Sequence, residues 1–186
     1  MVLLLLGVLL FAGVHFVPSL APAFKASWHK RLGEGGYKGT FSLLLLLSFA
    51  LMILGWRSAE PTFVYLPVPA LHHPALLLLV IAFLLMVVSS RNSRLCLIIR
   101  HPQLTGVALW GLAHLLLNGD SRALVLFGTL AIWALLEMIA INKREGAWIK
   151  GEAPSWAAEL LTVIITAVMV GLIISIHPWI SGMPVT

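Results

Sequence analysis

Three ionisable side chains lie inside long apolar runs of this chain: His15, Glu137 and His114. An imidazole can ligate a metal or carry a proton near neutral pH, and a carboxyl group can do either next to it. In an apolar run such groups are costly, and they normally turn toward a protein interior or a water-lined cavity. Two further candidates sit at run ends. Arg100-His101 precedes Pro102 at the start of one run, and Asn142 closes the run that holds Glu137. A guanidinium beside an imidazole suits an anion, a carboxylate above all. Each residue also has a plainer use. A lone buried histidine is commonly a hydrogen-bonded structural group, His101 can cap a helix or meet headgroups, and Glu137 has Lys143 and Arg144 within snorkelling reach. His72, His73 and His177 fall in polar stretches and are expected to be solvated. No Gly-rich phosphate loop, nucleophile elbow or HExxH zinc motif is present. Cys96 is the single cysteine, so there is no internal disulfide and no cysteine cluster for a metal.

Whether these residues meet depends on the elements that carry them. Of the 186 residues 60% are hydrophobic and only 10% are charged, a composition that a soluble domain of this size cannot bury. The apolar runs have membrane-spanning length. They predict an all-α, polytopic transmembrane bundle of about six spans: Val2–Leu20, Thr40–Trp56, Ala75–Ser89, Pro102–Leu117, Ala123–Ile141 and Trp156–Ile176. Five spans would remain if 117–122 formed a re-entrant turn. The connections are too short for a second domain, so 1–186 reads as one. Met1–Val17 lacks the basic start of a signal peptide, and an uncleaved first span is expected. The sequence pI of about 9.9 does not mean nucleic acid, because the cations fall between the spans.

Those cations orient the bundle. Lys25, Lys30, Arg31, Lys38, Arg91, Arg94, Arg100, Lys143, Arg144 and Lys150 all fall in odd-numbered connections, against Arg57 and Arg122 in even ones. The positive-inside rule then puts connections one, three and five in the cytoplasm and both termini outside. Trp28, Trp148, Trp156 and Trp179 fall near span ends, as an aromatic belt does. At 1.5 Å per residue His15 lies about 8–10 Å from the cytoplasmic boundary, with Glu137 at a similar depth, and His114 lies about 20 Å away. Depth therefore predicts an inner cluster of His15, His101, Glu137 and Asn142. The outer cluster is His114, Asn118 and Asp120, with His72, His73 and His177 nearby. Gln103, Val107, Trp110 and His114 share one helical face.

Arg100-His101-Pro102-Gln103, Gly106, Trp110, Ala113-His114 and Asn118-Gly119-Asp120, with the segments His15–Leu20 and Gly39–Ser42, resemble the NnrU family of bacterial membrane proteins along nearly the whole chain. The resemblance implies an inner-membrane protein tied to nitrite and nitric-oxide metabolism. NnrU proteins are similar to the zeta-carotene isomerases, which implies a haem b on His15 and His114 and isomerase-like redox chemistry on a lipophilic small molecule. Arg100, His101 and Glu137 would line the cofactor's site. Gly111 stands where those isomerases have an alternative cysteine ligand. A non-enzymatic accessory role for a respiratory reductase, or for its maturation factors, is the second expectation. Arg100, His101, Pro102 and Gly106 also resemble the cofactor motif of isoprenylcysteine carboxyl methyltransferase-like proteins, with Glu137 as the acid. That more distant likeness implies S-adenosylmethionine, although Leu104 replaces its aromatic residue and Met138 its second acid.

Overall fold

The computed structural model describes residues 1–183. They form six long helices: α1 (Val2–Leu20), α2 (Pro22–Ser58), α3 (His72–Ser89), α4 (Pro102–Leu117), α5 (Ser121–Glu145) and α6 (Trp156–Ser181). Among the described residues five helices are long and apolar enough to cross a membrane, the one containing α3 starting at Pro69. The sixteen-residue α4 is a shorter apolar helix. Prolines open α2 and α4, where a missing N–H costs nothing. The Asp120 carboxylate accepts from the Arg122 and Ala123 amides to cap α5, and Ser155 accepts from the Ala158 amide to cap α6.

Helix ends gather on two faces. On one, Arg144 Nη1 donates to the Pro18 carbonyl at 2.7 Å and Arg100 Nη1 to the Gly146 carbonyl at 2.8 Å, so the end of α1, the start of α4 and the end of α5 meet. On the other, Trp56 Nε1 donates to the Ser181 carbonyl at 3.1 Å. There too the segment after α2 pairs with the α4–α5 turn through a bridge between Phe63 and Asp120. The cations of the odd-numbered connections thus share one face.

Two elements differ from the sequence reading. The first basic connection is helical: α2 starts at Pro22 and is broken only at Gly33, whose φ of 70° and ψ of 177° are not helical. Read as composition, the glycines and charges of 25–39 spell a loop, yet an α-helix needs only local hydrogen bonds and no apolar continuity. In α5, Leu124–Gly128 forms a π-helical segment, which widens one turn and resets the helical phase of the residues after Gly128.

Contacts order the bundle. The α1–α2 hairpin packs on α5, α5 packs on α4, α4 on α3 and α3 on α6. Lipid supplies no hydrophobic drive for such association, so small residues set the approach. A Cβ on Gly7 would meet the Met52 amide at 2.7 Å, and one on Gly111 would meet the Phe127 carbonyl at 2.7 Å and the Ala131 Cβ at 2.9 Å. Large apolar side chains such as Leu46, Leu135 and Val168 stay exposed on the outside, the surface a lipid bilayer covers.

Candidate functional site

Between α1, α4 and α5 a cavity of about 670 Å³ opens on the basic face, within the range typical of small-molecule sites. Residues of α1 and α5 at helical spacing form two of its walls: Phe11 and His15 on α1, and Trp133, Glu137 and Ile141 on α5. Arg100, His101, Gln103, Leu104 and Val107 line it from the start of α4. Arg91 and Cys96, from the connection before α4, and Trp148, from the one after α5, complete the mouth.

Hydrogen bonds fix the histidines, Glu137 and Arg91 of the wall. His15 Nδ1 lies 2.9 Å from the Phe11 carbonyl, the usual seat for an Nδ1–H, which leaves Nε2 as a free lone pair. Rings surround the imidazole: Phe11 at 4.2 Å, Trp133 at 5.1 Å and Phe41 at 5.7 Å between centroids. Glu137 is 6% exposed and accepts a hydrogen bond from Ser19 Oγ at 2.9 Å. Among the described residues neither snorkelling cation pairs with it; Arg144 turns to the Pro18 carbonyl and to Glu145. His101 Nε2 pairs with Asn142 Oδ1 at 2.8 Å, tying the start of α4 to the end of α5. Arg91 reaches α6, where Nε donates to Thr162 Oγ1 at 3.0 Å. Trp133 is 5% exposed and its indole N–H finds no acceptor among the described residues. A buried donor of this kind costs stability unless something enters to accept from it.

His15, Arg100, His101 and Glu137 therefore line one cavity, with Asn142 bonded to His101. His114 is held elsewhere. Its Nδ1 pairs with the Trp110 carbonyl at 2.9 Å, and its ring stacks on Phe127 at 4.2 Å and 22°. Phe127 precedes Trp133, the neighbour of His15, by six residues of α5, about 9 Å along a helix axis. As packed, the two imidazoles stand at different depths and do not converge on one point. Gly111, one turn from His114, is a close-packing contact between α4 and α5 rather than a vacant ligand position.

Sequence reasoning missed Trp133, Ser19 and Glu159. Trp133 lies four residues before Glu137 and Ser19 four after His15, so the helical period that singled out their partners would have found both. The Glu159 carboxylate accepts from Ser93 Oγ at 3.0 Å and from the Arg94 amide at 2.7 Å, anchoring the start of α6 to the connection after α3. No period reveals that contact. On the opposite face, Tyr65 donates to the Leu115 and Asn118 carbonyls. Burial, and then the charge of Asp120, push its phenol above the ordinary value, so it stays a donor.

The family model for NnrU protein matches residues 3–185. The chain belongs to the NnrU family. No curated protein and no solved structure matches it. The membrane bundle and the basic-face cavity are thus features of an NnrU chain.

Proposed function

We propose that this NnrU protein binds haem b in the basic-face cavity, where His15 would hold its iron, and serves nitrogen-oxide redox physiology in the bacterial inner membrane. The positive-inside rule would put the basic face in the cytoplasm and both termini in the periplasm. The observation that carries the reading is His15 itself, an imidazole with Nδ1 engaged and Nε2 free at the wall of a cavity large enough for a small-molecule cofactor. A backbone carbonyl on one ring nitrogen fixes the tautomer that lets the other bind a metal. Phe11, Trp133, Leu104, Val107 and Ile141 supply apolar wall for a macrocycle, and Arg100 with His101 at the mouth suits its carboxylates. The bound iron would supply one-electron chemistry, and the cavity's polarity would tune its potential. Within the protein, Glu137 keeps a polar wall and Ser19 holds it in place. A lipophilic small molecule would enter laterally between spans. A respiratory reductase or its maturation factors are the partners that the accessory role would require.

The absorption spectrum of the purified protein, oxidised and then dithionite-reduced, tests this after haem supplementation during expression. A Soret band that His15→Ala removes and His114→Ala retains is the expected result. A featureless spectrum from the intact protein overturns the haem reading. A band lost in both variants would mean that α1 and α4 shift far enough to bring the two histidines together.

One observation favours S-adenosylmethionine as a second candidate ligand: Arg100, His101, Pro102 and Glu137 all line the same cavity. Against it, Met138 faces α4, where its sulfur accepts from Thr105 Oγ1 at 3.7 Å, so position 138 offers the cavity no second acid. Calorimetry with S-adenosylmethionine decides: no heat of binding removes this reading.

A further inference from the structure

The segment before Gly33 is a helix of its own. Residues 22–32 are helical, and the break at Gly33, with φ 70°, turns the chain before the membrane-spanning part of α2 begins. Ring contacts show how sharply. Trp28 lies 5.1 Å from Tyr37 and His29 lies 5.7 Å from the same ring. In one straight helix these residues would be about 12–14 Å apart along the axis. The first segment is therefore folded against the start of the span.

Its two faces differ in chemistry. Phe24, Trp28 and Leu32 recur every four residues and form one stripe. Phe24 is 59% and Leu32 48% exposed among the described residues, so the stripe's two ends stay largely open. Lys25 and Arg31 flank the stripe and Lys30 lies on the far side, while His29 sits beside it against Tyr37. The segment holds no acid. Among the described residues Lys25, Lys30 and Arg31 make no ion pair, whereas nearby Lys38 is taken by Glu34 at 2.6 Å. An apolar aromatic stripe bordered by free cations is the pattern of a helix lying in a membrane interface. Its charge complements acidic headgroups.

We propose that residues 22–32 form an interfacial helix that binds acidic phospholipid on the basic face, with Phe24, Trp28 and Leu32 in the acyl boundary and Lys25, Lys30 and Arg31 on the headgroups. The inference is independent of what the cavity binds.

Hydrogen–deuterium exchange of the full-length protein tests it, in vesicles of phosphatidylcholine alone and of an equal mixture with phosphatidylglycerol. Amides of 24–32 are expected to exchange about ten-fold more slowly in the acidic vesicles, since each cation near such a surface contributes appreciably. Molar salt should erase most of that difference in the unaltered protein. The triple variant K25Q/K30Q/R31Q should lose it as well, while exchange in α3–α5 stays unchanged. Equal exchange in the two vesicle types overturns the proposal. Protection that follows protein density rather than lipid charge also overturns it, and assigns the stripe to a second copy of the chain.

Discussion

Glu137 is the residue whose surroundings most constrain what this protein can do. A carboxyl group at 6% exposure inside a membrane bundle needs a partner, and Ser19 Oγ supplies one at 2.9 Å from the adjoining helix. The same bond ties α1 to α5 one turn from His15, so it also sets how deep the imidazole sits. Ser19→Ala is expected to destabilise the bundle by about 1 kcal/mol, the scale of hydrogen bonds between membrane helices. Denaturation by sodium dodecyl sulfate titration would measure it. No change would mean that Glu137 finds another partner within the cavity. Trp133 is a buried donor without an acceptor among the described residues, and a guest with an acceptor atom would relieve that. Depth arithmetic along the sequence was enough to separate His15, His101, Glu137 and Asn142 from His114, because rise per residue is a constant of the helix. The role of Trp133 was legible too, one turn from Glu137, but an aromatic residue in an apolar run stands out less than a carboxyl group.

At the scale of elements, glycines determine which helices can share a wall. Gly111 holds α4 against α5 with no room for a Cβ, the nearest atoms being the Phe127 carbonyl at 2.7 Å and the Ala131 Cβ at 2.9 Å. Gly13 and Gly171 have nothing within 4 Å. Gly111→Ala is therefore expected to cost about 1–3 kcal/mol as an overpacked contact, whereas Gly171→Ala should be neutral or slightly stabilising. Thermal melting of the two variants in the same detergent checks the contrast. The limits of α1 and α4 agree with the sequence reading because prolines and polar residues mark them locally. The start of α2 does not, since basic residues and glycines signal a connection whether or not the backbone hydrogen bonds run through them. Helical structure in 22–32 is stabilised by what the segment lies against, its own Tyr37 and, as proposed, the membrane surface. Neither contact is encoded as a period in the span pattern.

For the molecule as a whole, alternation of cationic and neutral connections and alternation of helix direction agree. The contacts between Arg144 and Pro18, and between Arg100 and Gly146, join ends on the basic face, and Trp56 with Ser181 joins ends on the other. Alkaline phosphatase fused to the C-terminus is accordingly expected to be active, as only exported phosphatase is, and the same fusion in the 146–151 connection inactive. The reverse pattern would invert the topology and move the cavity mouth to the periplasm. Spans and their charge bias were determined by the sequence alone, because each depends on residues that are neighbours along the chain. Only the tertiary structure decided that α1, α4 and α5 enclose a cavity, that Glu137 bonds Ser19, and that His15 and His114 are held at separate depths. Those outcomes depend on which helices touch and how closely, and in lipid that choice rests on small-residue contacts and a few interhelical hydrogen bonds spread across the chain.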